Sequence, residues 1–411
     1  MAGMTCRIES NIEPRSTAPA APRPLPEALA WIEEEILALR AAGLERPARV
    51  REGRQGAEVC LDGRTLLNFG SNNYLGLAGD VRLTRAASKG SCAEGFGAGA
   101  SPLVSGHSLA HEALERAIAG LLGVEAALVF PSGFAANTAT IAALAGPEDF
   151  IASDERNHAS IIDGCRLSRA RVGVYPHRDL AALDVLLAAA RDARRRLIVT
   201  DTLFSMDGTI TPLAGLCDLA RKHAAMLLVD EAHATGVFGS QGSGLVEETA
   251  TADGVHVRVG TLSKALGAAG GFVAGNAAFI HWLRHTARSW IFSTAHPPGV
   301  AAAAARAVRL LQEEPDRRVE LLARAGDFAA RLRQAGLDIG DTESQIMPVI
   351  VGRPAAAVAL AERLADEGFF VPAIRPPSVP HGRSLVRVSL SWLHDEHDLR
   401  RLAAALATHA R

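Results

Sequence analysis

Between about residue 70 and residue 275 the chain alternates short β-rich runs with amphipathic helical stretches. The apolar runs predict seven strands, at Ala126–Phe130, Phe150–Ala152, Arg171–Tyr175, Leu197–Thr200, Met226–Val229, Val255–Val259 and Gly271–Ala274. The stretches between them predict helices near Leu109–Leu122, Phe134–Leu144, Ala159–Leu167, Leu180–Ala190 and Leu213–His223. Such alternation is typical of an α/β domain whose sheet is mostly parallel and is covered by helices.

The flanking segments predict an N-terminal helix and a smaller α+β domain at the C-terminus. Residues 1–24 are rich in Pro, Ala and Ser towards their end, which predicts a disordered tail. Residues 25–69 predict a helix followed by two short strands, and residues 70–295 form the large domain. In residues 296–411 an Ala-rich helix at Ala301–Glu313 precedes two further strand–helix pairs. The predicted domain boundaries therefore follow residues 24, 69 and 295.

Charge and cysteine usage exclude several classes of partner. The chain has 43 basic and 45 acidic residues and no long basic block, which argues against nucleic acid or an anionic membrane as main partner. No apolar run approaches the roughly 20 residues that span a bilayer, and the first ten residues lack the apolar core of a secretion signal. Five scattered cysteines without a C-x-x-C pair indicate reduced thiols, as in a cytoplasmic protein.

Only three lysines occur in the chain, so any amine chemistry has few possible positions. Lys89 and Lys222 lie in polar helical contexts and are predicted to be on the surface. Lys264 instead follows an apolar strand and precedes a run of small residues. Burial there would lower the pKa of its amine and make it a competent nucleophile and proton acceptor.

Polar residues also follow three other predicted strands. Ser132-Gly133-Phe134 opens a helix, which suits a phosphate, although a serine N-cap explains the turn about as well. Asp230 ends an apolar strand and needs a cation such as a protonated pyridine nitrogen, and His233 could bond a phenolic oxygen of the same ring. A capping aspartate with a packed histidine remains the alternative. His158 could stack on an aromatic cofactor or cap a helix.

In this order, these residues make the chain resemble the fold type I pyridoxal 5'-phosphate enzymes. The resemblance is fullest to the α-oxoamine synthases, which join an amino acid to an acyl thioester and release CO₂. It runs from about Leu25 to the C-terminus and includes Asn68–Leu77, Leu203–Gly208 and Phe292–Pro298. The family implies an aminotransferase-like fold and a homodimer.

The resemblance also implies roles for individual residues. Lys264 would bind the cofactor covalently and remove the substrate Cα proton, while Asp230 would keep the pyridine nitrogen protonated. Arg387 would hold the amino-acid carboxylate with its two-pronged guanidinium. The other cofactor contacts would be His158, His233, Ser205, Ser132, Gly133, Phe134, Thr261, Ser263 and, from a second subunit, Thr294. The other substrate contacts would be Asn72 and Ser101, with Arg46 and Arg375 on the acyl chain or its carboxylate.

Within this family the segment Ala373–Pro380 most resembles the members that use L-alanine and a pimeloyl thioester in biotin synthesis. The thioester carrier, CoA or acyl carrier protein, stays open. Members that use glycine or serine, and a non-catalytic protein that binds the cofactor, are the alternatives. A transaminase is disfavoured because such enzymes often have an arginine eight residues after the lysine, where this chain has Phe272.

Two departures from the family pattern and one rejected metal site complete the prediction. Asp201 stands where the family usually has glutamate, and Pro102 follows Ser101 where arginine is frequent, which puts the acyl specificity in doubt. His394 and His397 lie among acidic residues, but an acidic, solvated helix N-terminus explains them without a metal ion.

Overall fold

The computed structural model describes residues 25–46 and 48–410, and the chain divides into two units after Pro47. In the N-terminal unit helix α1 spans Trp31–Ala41, inside the helix predicted for this segment, and buries none of its residues. The predicted tail, residues 1–24, lies outside the described residues.

The second unit contains the remaining helices and strands of the described chain. It begins with β1 (Arg51–Glu52), β2 (Glu58–Leu61), β3 (Arg64–Asn68), α2 (Val81–Glu94) and α3 (Leu109–Leu122). The alternating region follows as β4 (Ala126–Phe130), α4 (Gly133–Leu144), β5 (Phe150–Asp154), α5 (Ala159–Ser168), β6 (Arg171–Tyr175), α6 (Leu180–Ala189), β7 (Arg196–Asp201), α7 (Leu213–Lys222), β8 (Met226–Asp230), α8 (Leu245–Glu248), β9 (Val257–Thr261), β10 (Gly271–Gly275), α9 (Ala277–Thr286) and α10 (Arg288–Ile291). The chain ends with α11 (Pro298–Glu313), α12 (Asp316–Gln334), β11 (Ile346–Gly352), α13 (Pro354–Asp366), β12 (Phe369–Phe370), β13 (Ala373–Ile374), β14 (Ser384–Ser389) and α14 (Glu396–His409).

A seven-stranded sheet in the order β4-β10-β9-β8-β7-β5-β6 forms the centre of this unit. β10 is antiparallel to both of its neighbours, and the other pairs of adjacent strands are parallel. Six strands therefore point the same way and end at one edge of the sheet. This confirms the α/β class with a mostly parallel sheet, and it brings the polar strand ends singled out in the sequence to one edge.

Helices cover both faces of the sheet. Successive residues of a strand point to opposite faces, so each strand packs against helices on both sides. Leu197 and Val199 of β7 pack into a core with helices α4, α5 and α9, whereas Ile198 between them packs into the larger core on the other face. This two-sided burial explains why the strands read as continuous apolar runs. Among the described residues, no helix combines the length and hydropathy needed to cross a bilayer.

The C-terminal segment forms a second sheet, β11-β14-β13, with α12, α13 and α14 around it. Strand β12 pairs in parallel with β3, so Leu67 near the start of this unit lies beside Phe369 in one sheet. This pairing joins the predicted segments 25–69 and 296–411 in one sheet. The three predicted domain boundaries stay predictions. Helices α2, α8, α9, α10 and α12 were not predicted from the sequence.

Candidate active site

The candidate site lies at the carboxyl edge of the large sheet, where neighbouring strands end in polar residues. Asp201, Asp230 and Thr261 are the last residues of β7, β8 and β9, which are adjacent in the sheet. The loop after β9 carries Lys264, and the N-terminus of α4 follows β4 at the same edge. The sheet topology thus assembles residues that are far apart in the sequence.

Lys264 begins a chain of hydrogen bonds that runs through the centre of the site. Its Nζ lies 2.8 Å from His233 Nε2, and His233 Nδ1 lies 2.6 Å from the hydroxyl of Tyr74. That hydroxyl donates to Asn72 Oδ1 at 3.1 Å, which assigns the chain one direction: amine to imidazole to phenol to amide. Burial raises the pKa of Tyr74 to about 12, so the phenol keeps the proton that it donates.

Burial also determines the protonation of the two basic groups. It lowers the pKa of Lys264 to about 8, although Asp230 and Asp201 oppose the shift. Burial, followed by the charges of Lys264 and Arg387, lowers the pKa of His233 well below 6.5. His233 is therefore neutral near pH 7 and accepts the hydrogen bond from Lys264, which holds the amine in place. Lys89 and Lys222 are exposed, as predicted.

Asp230 is held by two donors and stands beside a second buried carboxyl group. Its Oδ2 accepts from Asn137 Nδ2 at 2.6 Å and its Oδ1 from the Ala232 N–H at 2.8 Å. Burial and the adjacent Asp230 raise the pKa of Asp201 well above its usual value. The carboxyl group of Asp201 therefore retains a proton more readily than an exposed aspartate does, and it also accepts from the His158 N–H at 2.8 Å. The shorter side chain in place of the family's glutamate still makes this contact.

His158 caps α5 and is tied to Asp230 through two polar side chains. Its Nδ1 lies 2.7 Å from Ser160 Oγ, and Ser160 Oγ accepts from Asn137 Nδ2 at 2.9 Å. The imidazole itself is exposed, and its nearest aromatic neighbour is Phe134 at 6.5 Å between ring centroids. One face of the ring is thus free to stack on a planar group, so capping and stacking are compatible.

The phosphate site predicted at the start of α4 lies next to residues at the end of β9. Ser132 Oγ accepts from the Ala135 N–H at 3.0 Å, and the first N–H groups of a helix have no partner within it. Thr261 Oγ1 lies 2.8 Å from Ser263 Oγ at the end of β9. Glycine is required at position 271, because a Cβ there would lie 2.5 Å from the backbone nitrogen of Gly133.

Arg387 on β14 is 6% exposed and faces the centre of the site. Its Nε donates to the carbonyl oxygen of Ser205 at 2.5 Å, and both terminal nitrogens lie 3.2–3.3 Å from Asn72 Oδ1. In the described part of the chain the guanidinium forms no ion pair with a carboxylate. A buried cation with only neutral acceptors is a site for an anionic substrate group.

The remaining predicted site residues are Ser101, Thr294, Arg375 and Arg46. Ser101 is half-buried and Thr294 exposed, and their segments meet where the Ala295 N–H donates to the Ala100 carbonyl at 3.0 Å. Arg375 is half-buried directly after β13. Arg46 belongs to the N-terminal unit. The roles predicted for these four stay predictions.

Tyr74 and Asn137 are functional candidates that sequence reasoning did not single out. Tyr74 lies inside a quoted family segment, and it is one of only two tyrosines in the chain. His394 was misplaced: it is 1% exposed and stacks on Phe69 with ring centroids 4.0 Å apart, instead of lying in solvent.

The chain belongs to the aminotransferase class I and II family, whose model matches residues 64–406. It is 48% identical over 380 residues to 8-amino-7-oxononanoate synthase of Anaeromyxobacter dehalogenans, covering 92% of this chain and 95% of that protein. Among solved structures, serine palmitoyltransferase from S. paucimobilis with a bound PLP–myriocin aldimine is 30% identical, with a TM-score of 0.89 and coverage of 95% and 99%. The 8-amino-7-oxononanoate synthase from Francisella tularensis is 27% identical, with a TM-score of 0.72 and coverage of 84% and 97%. The predicted family, fold class, acyltransferase class and cofactor are confirmed.

The residues at the sheet edge fit pyridoxal 5'-phosphate part by part. The helix N-terminus beside Thr261 suits the phosphate, Asp230 suits the pyridine nitrogen, and the amine of Lys264 suits the aldehyde carbon. The buried Oδ1 of Asn137 has no hydrogen-bond partner among the described residues, which leaves an acceptor beside Asp230.

The lowered pKa of Lys264 predicts how the protein without cofactor takes it up. Below pH 8 the ammonium form predominates and cannot attack an aldehyde, so we expect the rate of uptake to fall about tenfold per pH unit well below 8 and to level above about 9. The growth of near-visible absorption after mixing measures this rate. Nα-acetyl-lysine, whose free ε-amine titrates near 10.5, is the control for changes in the cofactor itself. A rate independent of pH between about 6 and 8 would contradict the assignment.

Proposed function

We propose that the chain catalyses the decarboxylative condensation of L-alanine with a pimeloyl thioester, which forms 8-amino-7-oxononanoate for biotin synthesis. The observation that carries this proposal is the continuous network from Lys264 through His233, Tyr74 and Asn72 to Arg387. It holds on one scaffold an amine and a guanidinium that has no carboxylate partner among the described residues, as an α-amino acid requires. The 48% identity to a synthase of this name supports the choice within the family.

Each group of the network has a distinct task. Bound pyridoxal phosphate supplies an electron sink for the amino acid's Cα. Arg387 binds the carboxylate and so orients the Cα–H bond towards Lys264, whose neutral Nζ accepts that proton. His233, neutral and hydrogen-bonded to Tyr74, keeps Nζ directed into the site. Asp230 stabilises positive charge on the pyridine nitrogen, and Asn137 fixes its carboxylate.

A cavity of about 1150 Å³ next to Ser205 offers space for the second substrate. Its lining includes Asn157, Ser205, Pro376 and Pro377. The volume lies slightly above the usual range for small-molecule sites, roughly 300–1000 Å³. We propose that the thioester enters here, that Arg375 beside the two prolines contacts the acyl chain or its carboxylate, and that Arg46 does the same. The carrier is CoA or acyl carrier protein.

We propose a homodimer whose second subunit supplies Thr294. The surface around this residue is unusually apolar: Val104 is 77% and Phe292 71% exposed, and α10 contacts the turn that carries Val104. Patches of this kind mark interfaces. The mass of the particle in dilute solution tests the proposal, and a monomer would contradict it. We also propose a cytoplasmic location, supported by the free thiols of Cys60, Cys92, Cys165 and Cys217.

The decisive experiment measures CO₂ release from single amino acids with pimeloyl-CoA and with pimeloyl acyl carrier protein. We expect L-alanine to be turned over at least about tenfold better than glycine or serine, because pocket contacts to one methyl group are worth up to a few kcal/mol. Arg387→Lys should raise the KM for alanine about 10- to 100-fold, since a lysine cannot make the two-pronged contact. Turnover of glycine or serine without alanine would overturn the substrate assignment.

A serine-using synthase is the second candidate, favoured by the TM-score of 0.89 to serine palmitoyltransferase. Long-chain acyl-CoA with serine is therefore included as a separate arm of the same assay. A protein that binds the cofactor but releases no CO₂ from any of these mixtures would correspond to the non-catalytic alternative.

A further inference from the structure

A buried polar cluster beside the site has no part in the chemistry described above. It consists of Asp154, the last residue of β5, with His177 and Thr209. The side chain of Asp154 is fully buried and that of His177 is 10% exposed. His177 also packs edge-on against Phe204, with ring centroids 4.4 Å apart.

The hydrogen bonds of the cluster define a direction. Asp154 accepts from the N–H groups of Arg156 and Arg178, each at 2.9 Å, and from His177 Nδ1 at 3.0 Å. Because a carboxylate only accepts, the Nδ1 proton is directed at Asp154, and Nε2 on the other side of the ring forms a hydrogen bond with Thr209 Oγ1, 3.0 Å away. The hydroxyl of Thr209 is thus held by a rigid partner at the end of β5.

Thr209 belongs to the hairpin that carries Ser205. The Phe204 N–H donates to the Thr209 carbonyl at 3.0 Å, and a bridge pairs Leu203 with Ile210. The turn closes at Gly208, where φ is +69° and a Cβ would lie 2.1 Å from the Ile346 carbonyl oxygen. The turn therefore contacts β11 at Gly208 and the cluster of Asp154 and His177 at Thr209.

From this geometry we propose that His177 is a positioning residue that sets the orientation of Arg387. The path runs from Asp154 through His177 and Thr209 into the turn, and the carbonyl of Ser205 in that turn accepts from Arg387 Nε. Loss of the histidine lets the turn shift and releases the guanidinium from the geometry that matches a carboxylate. The inference rests on the proposed function, because it assigns the amino-acid carboxylate to Arg387.

The test is the affinity of the loaded enzyme for L-alanine, measured by the absorbance change on titration. We expect His177→Ala and Thr209→Val each to weaken alanine binding about tenfold, the scale of one hydrogen bond to a charged group. Since both act on one contact, the double variant should be no weaker than the weaker single variant within about twofold. Thr209→Ser keeps the hydroxyl and should bind alanine with an affinity within about twofold of that of the wild type. His177 and Thr209 line the cavity assigned to the thioester, so the affinity for alanine is measured without the thioester.

His223→Ala is the control, because His223 is also a buried histidine that pairs with an aspartate, the partly exposed Asp184, shortly before β8 begins and so away from the carboxyl edge of the sheet. It should lower the Tm without changing the affinity for alanine. If His177→Ala lowers the Tm in the same way and leaves that affinity at the wild-type value, the inference is wrong. Failure of the proposed function looks different: the wild type itself gives no response to alanine. The same variants are then compared with the amino acid, glycine or serine, to which the wild type does respond.

Discussion

Replacing Lys264 with alanine is expected to abolish the absorption band of the covalently bound cofactor, so that the loaded variant absorbs like free pyridoxal phosphate, and to lower kcat/KM by at least about 10⁴-fold. The variant loses the covalent bond to the cofactor and the proton acceptor at Cα, and general base catalysis alone contributes about 10²- to 10⁴-fold. Neither neighbour can replace the amine, because His233 holds its neutral ring towards Tyr74 and the phenol of Tyr74 has a pKa of about 12. Absorption spectra and CO₂ release measure the two effects.

The other lysines provide the controls for this variant. Lys89 and Lys222 are exposed, and Lys222 pairs with Asp184 on the surface. Alanine at either position should leave the spectrum and the activity within about twofold of the wild type. A Lys264→Ala protein that keeps both the band and the activity would falsify the site assignment.

Replacing Asp230 with asparagine should lower kcat/KM by about 10²- to 10³-fold and weaken cofactor binding. Removing the charged partner of a buried cation costs about 3–5 kcal/mol, and each 1.4 kcal/mol corresponds to a factor of about ten. The amide would also direct its NH₂ group at one of the two donors that now bond the carboxylate, Asn137 Nδ2 at 2.6 Å or the Ala232 N–H at 2.8 Å. Equilibrium dialysis of the cofactor and steady-state kinetics measure the two effects separately.

Asp201→Asn is the matched control on the neighbouring strand. The raised pKa of Asp201 means that its carboxyl group readily keeps a proton, so an amide removes little charge. It also retains an oxygen for the His158 N–H. We expect less than about a tenfold loss of activity. If the two asparagine variants lose activity equally, charge on Asp230 is not what stabilises the cofactor.

The sequence was sufficient to predict the fold and the residues at strand ends. Two-sided burial makes each strand of a parallel sheet a continuous apolar run, so the first polar residue after it marks the functional edge. Asp230 and Lys264 were found in this way. The contrast between Lys264 and the two lysines in polar helices needed no tertiary information.

The residues that sequence reasoning missed act through partners distant in the chain. Tyr74 and His233 are 159 positions apart, and Asn137 lies 93 positions from Asp230. Neither pairing leaves a periodic pattern, because each depends on which loops the topology brings together. His394 was misplaced for the same reason: the acidic residues around it suggest solvent, while its ring packs on Phe69 from the start of the second unit.

The contacts between the two ends of the second unit also determine when the site can form during synthesis. The Ser389 N–H donates to the Phe69 carbonyl at 2.8 Å and the Trp392 N–H to the Tyr74 carbonyl at 2.7 Å, while Arg387 bonds Asn72. A ribosome completes the strands of the large sheet before it synthesises β14. Asn72 therefore has no contact with Arg387 until the 315 positions that separate them have been translated. Such non-local closure is slow relative to helix formation. A nascent or prematurely terminated chain would therefore have the carboxyl edge of the large sheet without the guanidinium of Arg387.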